Sequence, residues 1–209
     1  MAKQAASPAA SGRKQLLRAL RSHGGWLRQR EALDLGVHPR WLSRLVDEGT
    51  IERVSKGLYR LPQDTGTTYE SFVAAAHAVP GGVVCLLSAL AYYELTTSNP
   101  SEVYLAIPRT TWAPKIEYPP IRFFRFSPRM MTFGVEVVRV SRDSFSIFNR
   151  EKTICDSLRH RTVVGQDVVI EALRSYLRSP RIRNVDRLIS TARKCRVEKR
   201  IRPYLEALA

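Results

Sequence analysis

Residues 39–61 hold the pattern that most limits how this chain can fold, because two kinds of periodicity follow one another there without a break. From Pro39 to Glu48, apolar residues recur at the i, i+3, i+4 spacing of one helix face, and proline suits a first helical turn. The apolar positions are Leu42, Leu45 and Val46. The positions of the opposite face are Arg40, Ser43, Arg44 and Asp47. After Gly49, two alternating segments flank Ser55-Lys56-Gly57, as in two strands joined by a tight turn.

Two shorter helical patterns precede this unit. Leucines at helical spacing run from about Arg13 to His23-Gly24-Gly25, and a short helix is predicted from Gln29 to Leu35 after an extended link at Trp26-Leu27. Helix, short helix, amphipathic helix and basic hairpin, in that order, predict a winged helix-turn-helix.

This motif binds duplex DNA by placing one helix in the major groove. We expect Arg40 and Arg44 to read guanines and Ser43 to contact a base or a phosphate. The hairpin residues predicted to contact the backbone or the adjacent minor groove are Arg53, Lys56 and Arg60. Trp41 either touches sugars or seals the core. The alternatives are a solvated helix face and a winged helix that docks proteins.

The net charge of +15 calls for a polyanionic partner, and nucleic acid is the commonest one. Residues 1–62 and 151–209 each carry +7, whereas the middle of the chain carries +1. The C-terminal end is either solvated or extends the DNA footprint. Its basic cluster comprises Arg193, Lys194, Arg196, Lys199, Arg200 and Arg202.

Composition and turn residues predict two domains of α+β class. We expect a flexible tail (1–11), a winged helix-turn-helix domain (12–62), a linker (63–68) and a C-terminal α+β domain (69–209). Four strand-like runs between 103 and 148 predict a small, mostly antiparallel sheet in the second domain, and six helical patterns predict flanking helices. The three scattered cysteines predict buried thiols in a reducing cytoplasm, and no segment predicts a membrane span or a signal peptide.

Three segments carry a resemblance to a known family. They are RVSKGLYRLP, GGVVCLLSALAYYELTTSNPSEVYLAIPR and FNREKTICDSLRHRTVVGQDVVIEALRSYL. In this order they resemble the AbiEi antitoxin family of type IV toxin-antitoxin (abortive infection) systems, from about Leu16 onward. The positions that match the family pattern are Cys85 to Leu90, Glu151, Lys152, Thr153, Asp156, Arg159 and Arg161. The chain departs from that pattern at His38-Pro39-Arg40-Trp41, where smaller hydroxyl residues are expected, so we expect an operator of its own.

The resemblance implies an autoregulatory repressor that binds inverted repeats. It also implies a C-terminal domain that counters a nucleotidyltransferase-type toxin without forming a stable complex with it. The oligomeric state on DNA stays open. In the segment 151–161, Lys152, Asp156 and Arg159 share one helix face, with Arg161 just beyond it; we favour structural pairing there over a direct role.

Enzyme motifs are not found in the sequence. No Asp or Glu is followed two places later by Lys, which disfavours a metal-dependent nuclease, and the four histidines lack zinc spacing. The glycines form no phosphate-binding loop, and Cys155 and His160 fall on different helix faces. We therefore predict no catalytic residue, no metal and no cofactor. The alternatives are a stand-alone winged-helix regulator and, less favoured, a nuclease.

Overall fold

The computed structural model describes residues 8–62, 69–116, 118–140 and 143–208, with side chains from Gly12 onward. The helices are α1 (Pro8–Ser22), α2 (Gln29–Asp34), α3 (Arg40–Asp47), α4 (Glu70–Ala78), α5 (Leu86–Tyr92), α6 (Pro128–Thr132), α7 (Arg150–Arg159), α8 (Arg161–Val164), α9 (Gln166–Arg178), α10 (Val185–Lys194) and α11 (Glu198–Leu208). The strands are β1 (Trp26–Arg28), β2 (Glu52–Ser55), β3 (Leu58–Arg60), β4 (Val83–Val84), β5 (Val103–Pro108), β6 (Ile121–Phe126), β7 (Val135–Val140) and β8 (Asp143–Phe148). The predicted α+β class is confirmed.

The N-terminal part forms the predicted winged helix-turn-helix. Helices α1 to α3 pack around a core of their own, and strand β1, between α1 and α2, joins the hairpin β2–β3 in an antiparallel sheet of order β1-β3-β2. The core residues of the three helices are Leu16, Ala19, Leu20, Ala32, Trp41, Leu42 and Leu45. The wing turns at Lys56-Gly57, where Gly57 has a φ of +76°, a left-handed conformation that glycine adopts without strain. The predicted extended link at Trp26-Leu27 is the paired strand β1.

The first helix begins earlier than predicted. Within the expected flexible tail, residues 8–11 already belong to α1, which begins at Pro8 rather than near Arg13. Proline is tolerated in a first helical turn and the two alanines that follow favour helix, so the tail was predicted too long. Residues 1–7 of that tail and the predicted linker 63–68 lie outside the described residues.

The second sheet is evenly mixed, with strand order β6-β5-β4-β8-β7, so the expectation of mostly antiparallel pairing is corrected. Pairs β4–β5 and β7–β8 are antiparallel, whereas β5–β6 and β4–β8 are parallel. The long connection between β5 and β6 crosses back to the starting edge, which parallel neighbours require. The two-residue strand β4 was missed because its apolar run continues into α5.

The winged helix packs directly against the second domain. Trp26 of β1 and Leu58 of β3 belong to the larger apolar core, at 2% and 3% exposure. The Trp26 ring stacks on His77 of α4 with centroids 4.8 Å apart, and its Nε1 donates to Asp143 Oδ2 at 3.2 Å. Asp143 Oδ1 lies 3.1 Å from His77 Nε2. These contacts join β1 to α4 and β8.

Two arginines add to this contact. Arg28 Nε donates to the carbonyl of His77 at 2.8 Å, at the C-terminal end of α4 where carbonyls lack helical partners. Its Nη2 also donates to the Ala78 carbonyl. Arg60 of β3 pairs with Glu70 of α4. Helix α4 is therefore held at both ends by side chains of the winged helix.

No helix among the described residues is long and apolar enough to cross a membrane.

Candidate nucleic-acid interface

Helix α3 presents its polar face to solvent and its apolar face to the core. Leu42 and Leu45 are 1% and 0% exposed, whereas Arg40 and Arg44 are exposed. Ser43 is exposed as well. The helix extends from Arg40 to Asp47, within one residue of the prediction at each end. The two arginines and the serine are therefore free to enter a groove while the leucines hold the helix in place.

Trp41 belongs to the core of the winged helix. Its side chain is 8% exposed, and a Cβ at Gly12 of α1 would lie 2.7 Å from Trp41 Nε1. The close approach of α1 thus covers the ring, which leaves too little surface for a sugar contact. Of the two predicted roles, sealing the core is the one that the packing supports.

Arg44 is paired within its own helix. Its Nε lies 2.9 Å from Glu48 Oε1, and its guanidinium lies 5.3 Å from the centroid of the Trp41 ring. Arg13 of α1 also approaches Glu48, at 3.6 Å. Exposed ion pairs of this kind contribute only about 0–1 kcal/mol, so guanine or phosphate competes with Glu48 at little cost.

The wing carries the predicted cations Arg53 and Lys56, and its turn lies beside the start of α2. Arg53 and Lys56 are exposed, and Gln29 N donates to the Gly57 carbonyl at 2.8 Å. This bond brings the exposed residue Arg30 of α2 close to the wing turn. Sequence reasoning missed Arg30, although the spacing of Arg28 and Arg30 around a predicted helix start was a usable signal.

Arg60, a predicted DNA-binding residue, has a structural role in the fold. Its Nε lies 2.7 Å from Glu52 Oε2 and its Nη1 pairs with Glu70, while the side chain is only 19% exposed. Burial lowers the pKa of Arg60, but the hydrogen bonds and charges of Glu52 and Glu70 raise it more, so the net shift is upward. Two of the three guanidinium nitrogens therefore face carboxylates, which leaves less of the group available to a phosphate.

The second predicted polar group, on α7, is buried. Lys152 and Asp156 form an ion pair with side chains 0% and 2% exposed. The ammonium also lies 3.4 Å from the centroid of the Phe148 ring and 4.7 Å from that of Phe126. Burial raises the pKa of Asp156, and the adjacent Lys152 ammonium offsets this only in part. The pair therefore packs α7 against aromatic rings of β6 and β8.

Arg159 and Arg161 stand apart from that pair. Arg159 is exposed at the end of α7, and Arg161 is half-buried at the start of α8. The spacing i, i+4, i+7 predicted one face for Lys152, Asp156 and Arg159, but the helix reaches the surface by its last turn. The predicted polar face is thus a buried pair and two separate arginines.

A further network on α7 was not predicted. Tyr176 Oη donates to Glu151 Oε1 at 2.9 Å, and Arg187 Nε lies 3.3 Å from Glu151 Oε2. The glutamate is 4% exposed, so both partners compensate its burial. Periodicity could not reveal this network because its members come from α7, α9 and α10.

One comparison with known proteins concerns the N-terminal part of the chain. Residues 14–62 match the family model described as "Transcriptional regulator, AbiEi antitoxin". The resemblance predicted from sequence is confirmed over the winged helix, and the match supports a DNA-binding regulatory role for the chain.

A second comparison concerns the fold of the whole chain. The crystal structure of the RV2827C protein from Mycobacterium tuberculosis superposes with a TM-score of 0.50 and 13% sequence identity. The likeness covers 94% of this chain and 81% of that one. At such low identity it shows a shared fold alone. No curated protein matches the sequence.

Proposed function

We propose that this chain is a winged-helix repressor that binds inverted repeats in its own promoter and serves as the antitoxin of a type IV toxin-antitoxin pair. The observation that carries the DNA-binding part is the orientation of α3. Arg40, Ser43 and Arg44 point outward from a helix whose leucines are buried in a winged-helix core.

In this proposal Arg40 and Arg44 read base edges, since each guanidinium can make a bidentate contact with guanine. Ser43 contacts a base or a phosphate. Arg53, Lys56 and Arg30 contact the backbone, which fixes register without reading sequence. The exposed charges of the wing tip and of the start of α2 suit that role because both flank the turn at Gly57.

The antitoxin part of the proposal is supported by the family description of residues 14–62 and by the resemblance of the two later segments. The target is a nucleotidyltransferase-like toxin, opposed without a stable complex. A stand-alone repressor is the second candidate. The two differ in whether a gene for such a toxin adjoins this one.

Fluorescence anisotropy with the chain's own upstream DNA tests the repressor. We expect the upstream duplex to bind at least about a thousandfold more tightly than a scrambled duplex of equal length, as specific sites do. A promoter fusion should be silenced by the intact chain and released by the Arg40→Ala, Arg44→Ala double variant. Equal affinity for both duplexes would refute sequence-specific repression.

Co-expression tests the antitoxin part separately. The chain should restore growth to cells that express the adjoining nucleotidyltransferase-like protein under a foreign promoter, so that repression cannot explain the rescue. The double variant of α3 should rescue equally, because neutralisation is assigned to the second domain. Failure to rescue would leave the stand-alone repressor as the correct function.

A further inference from the structure

Trp112 is the most exposed large apolar side chain described in the structure. It is 87% exposed, whereas the other two tryptophans, Trp26 and Trp41, are 2% and 8% exposed. Exposing a whole indole to water costs free energy, so a tryptophan is seldom this exposed on a protein surface without a partner. A ring in this position is available to pack against a partner.

The fold holds this ring beside arginines. Strands β5 and β6 are parallel, so they end at the same edge of the sheet, where Pro108 pairs with Phe126. Arg109 continues this pairing, because its N–H donates to the Phe126 carbonyl at 3.0 Å. Trp112 follows three residues later in the same loop.

Arg125 orders the loop. Its Nη1 donates to the carbonyl of Thr111 at 2.6 Å and to that of Arg109 at 3.2 Å. The guanidinium therefore lies next to the residue that precedes Trp112, and Arg125 itself is exposed. We call Arg109, Trp112, Arg125 and Arg129 the Trp112 surface.

The Trp112 surface carries positive charge with no compensation among the described residues. Arg129 is exposed on α6, directly after β6, and Lys115 is exposed further along the loop. Between residues 103 and 135 the sequence has one acidic residue, Glu117. None of these four basic side chains, Arg109, Lys115, Arg125 and Arg129, forms an ion pair with a carboxylate that the structure describes.

We propose that the Trp112 surface binds an unpaired stretch of nucleic acid, with a base stacked on the Trp112 ring and phosphates paired with Arg109, Arg125 and Arg129. The arginines call for an anionic partner, and a flat exposed ring beside them suits a base face. Duplex DNA keeps its base faces stacked inside the helix, so a single strand fits better than an operator duplex. An acidic peptide would satisfy the charge but leave the indole without a planar partner.

Base stacking and phosphate pairing do not involve the ribose 2′-hydroxyl, so we expect RNA and single-stranded DNA to bind alike. This site lies on the β5–β6 edge and uses none of the residues assigned to the operator. Its failure and the failure of the proposed repressor are therefore distinguishable.

Intrinsic fluorescence tests the proposal, because Trp112 is the exposed tryptophan. Titration with an oligothymidylate or oligouridylate of about twelve nucleotides should quench the emission of the full-length chain at low salt. Trp112→Ala should weaken binding about tenfold, measured with a labelled oligonucleotide, whereas Trp112→Phe should stay within about threefold of the parent. Operator-duplex affinity should be the same in all three proteins.

Two controls separate stacking from charge. Val137→Ala removes another exposed apolar side chain, 65% exposed on β7, and should leave oligonucleotide affinity unchanged. Polyglutamate of matched length serves as the acidic-peptide probe. If Trp112→Ala bound oligonucleotides as tightly as the parent, or if polyglutamate bound as tightly as the oligonucleotide, the assignment to unpaired nucleic acid would be wrong.

Discussion

Trp41 and Arg44 lie one turn apart in α3, and the structure gives them opposite environments. The sequence predicted the outward direction of Arg44 because the leucine spacing fixes the buried face. It left two roles open for Trp41, since the position lies between the two faces. Trp41 is buried because α1 approaches it closely at Gly12. Residue spacing within α3 carries no information about that contact.

Lys56, at the turn of the wing, is proposed to contact the DNA backbone, and this contact gives a testable prediction. Lys56→Ala should weaken binding to operator and scrambled duplexes alike and reduce the slope of log K against log salt by about one unit. Anisotropy titrations at several salt concentrations measure both quantities. Lys56→Arg keeps the charge and should retain the slope; an unchanged slope in Lys56→Ala would place the wing tip away from the backbone.

Lys152 gives a prediction about stability. Lys152→Ala leaves Asp156 buried without its partner and should cost about 3–5 kcal/mol of unfolding free energy, measured by urea denaturation. Replacing both residues, as Lys152→Met with Asp156→Leu, should recover most of that loss. Arg159→Ala on the same helix is the matched control and should change the free energy by less than about 0.5 kcal/mol. A loss for Lys152→Ala as small as that of the control would contradict a structural pair.

At the scale of elements, amphipathic helices and the wing hairpin could be predicted because their periodicity is local. The strands β1 and β4 could not be predicted as paired strands, since three and two residues are too short to show alternation. The order in which strands pair within a sheet also cannot be inferred from a single sequence, so the parallel pairs of the second sheet were not predicted. The structural role of Arg60 could not be predicted either, because one of its two carboxylate partners, Glu70, belongs to α4.

Gly57 carries the element-scale prediction, because the wing turn depends on its left-handed backbone. Gly57→Ala places a Cβ at a φ of +76° and should cost about 1–2 kcal/mol by urea denaturation. The nearest atom to that Cβ, Gln29 Cβ, is 3.8 Å away, so backbone strain and not a clash is the cause. Gly57→Asn, which tolerates this conformation, should cost less. Equal losses in both variants would mean that the conformation is not what limits the turn.

At the scale of the whole molecule, the two parts of the chain share a core through Trp26 and Leu58, and polar and aromatic contacts of Trp26, Arg28 and Arg60 reinforce it. The division into a domain of residues 12–62 and one of 69–209 therefore stays a proposal about the chain's organisation. The basic surfaces described above lie on the winged helix and at the β5–β6 edge, and the second falls in the middle of the chain, where the net charge of +1 predicted none.

This shared core predicts a single unfolding transition. The change in tryptophan fluorescence on unfolding reports mainly on Trp26 and Trp41, which are buried in the folded chain, and far-ultraviolet circular dichroism reports on all helices. The midpoints of the two signals in urea should coincide, and Asp143→Ala, which removes the partner of Trp26 Nε1 and His77, should separate them. Separate midpoints in the parent protein would show that the two parts unfold independently.

The central claim is that the outward face of α3 reads the operator. Its most direct test is the ratio of affinities for operator and scrambled duplexes in the Arg40→Ala, Arg44→Ala double variant, beside a double variant of Arg53→Ala and Lys56→Ala. Loss of two bidentate contacts should lower the ratio about thirtyfold or more, because each good pair contributes about 1–3 kcal/mol. The wing variant should lose affinity for both duplexes and keep the ratio. If the α3 variant kept the parent's ratio, the reading helix would lie elsewhere.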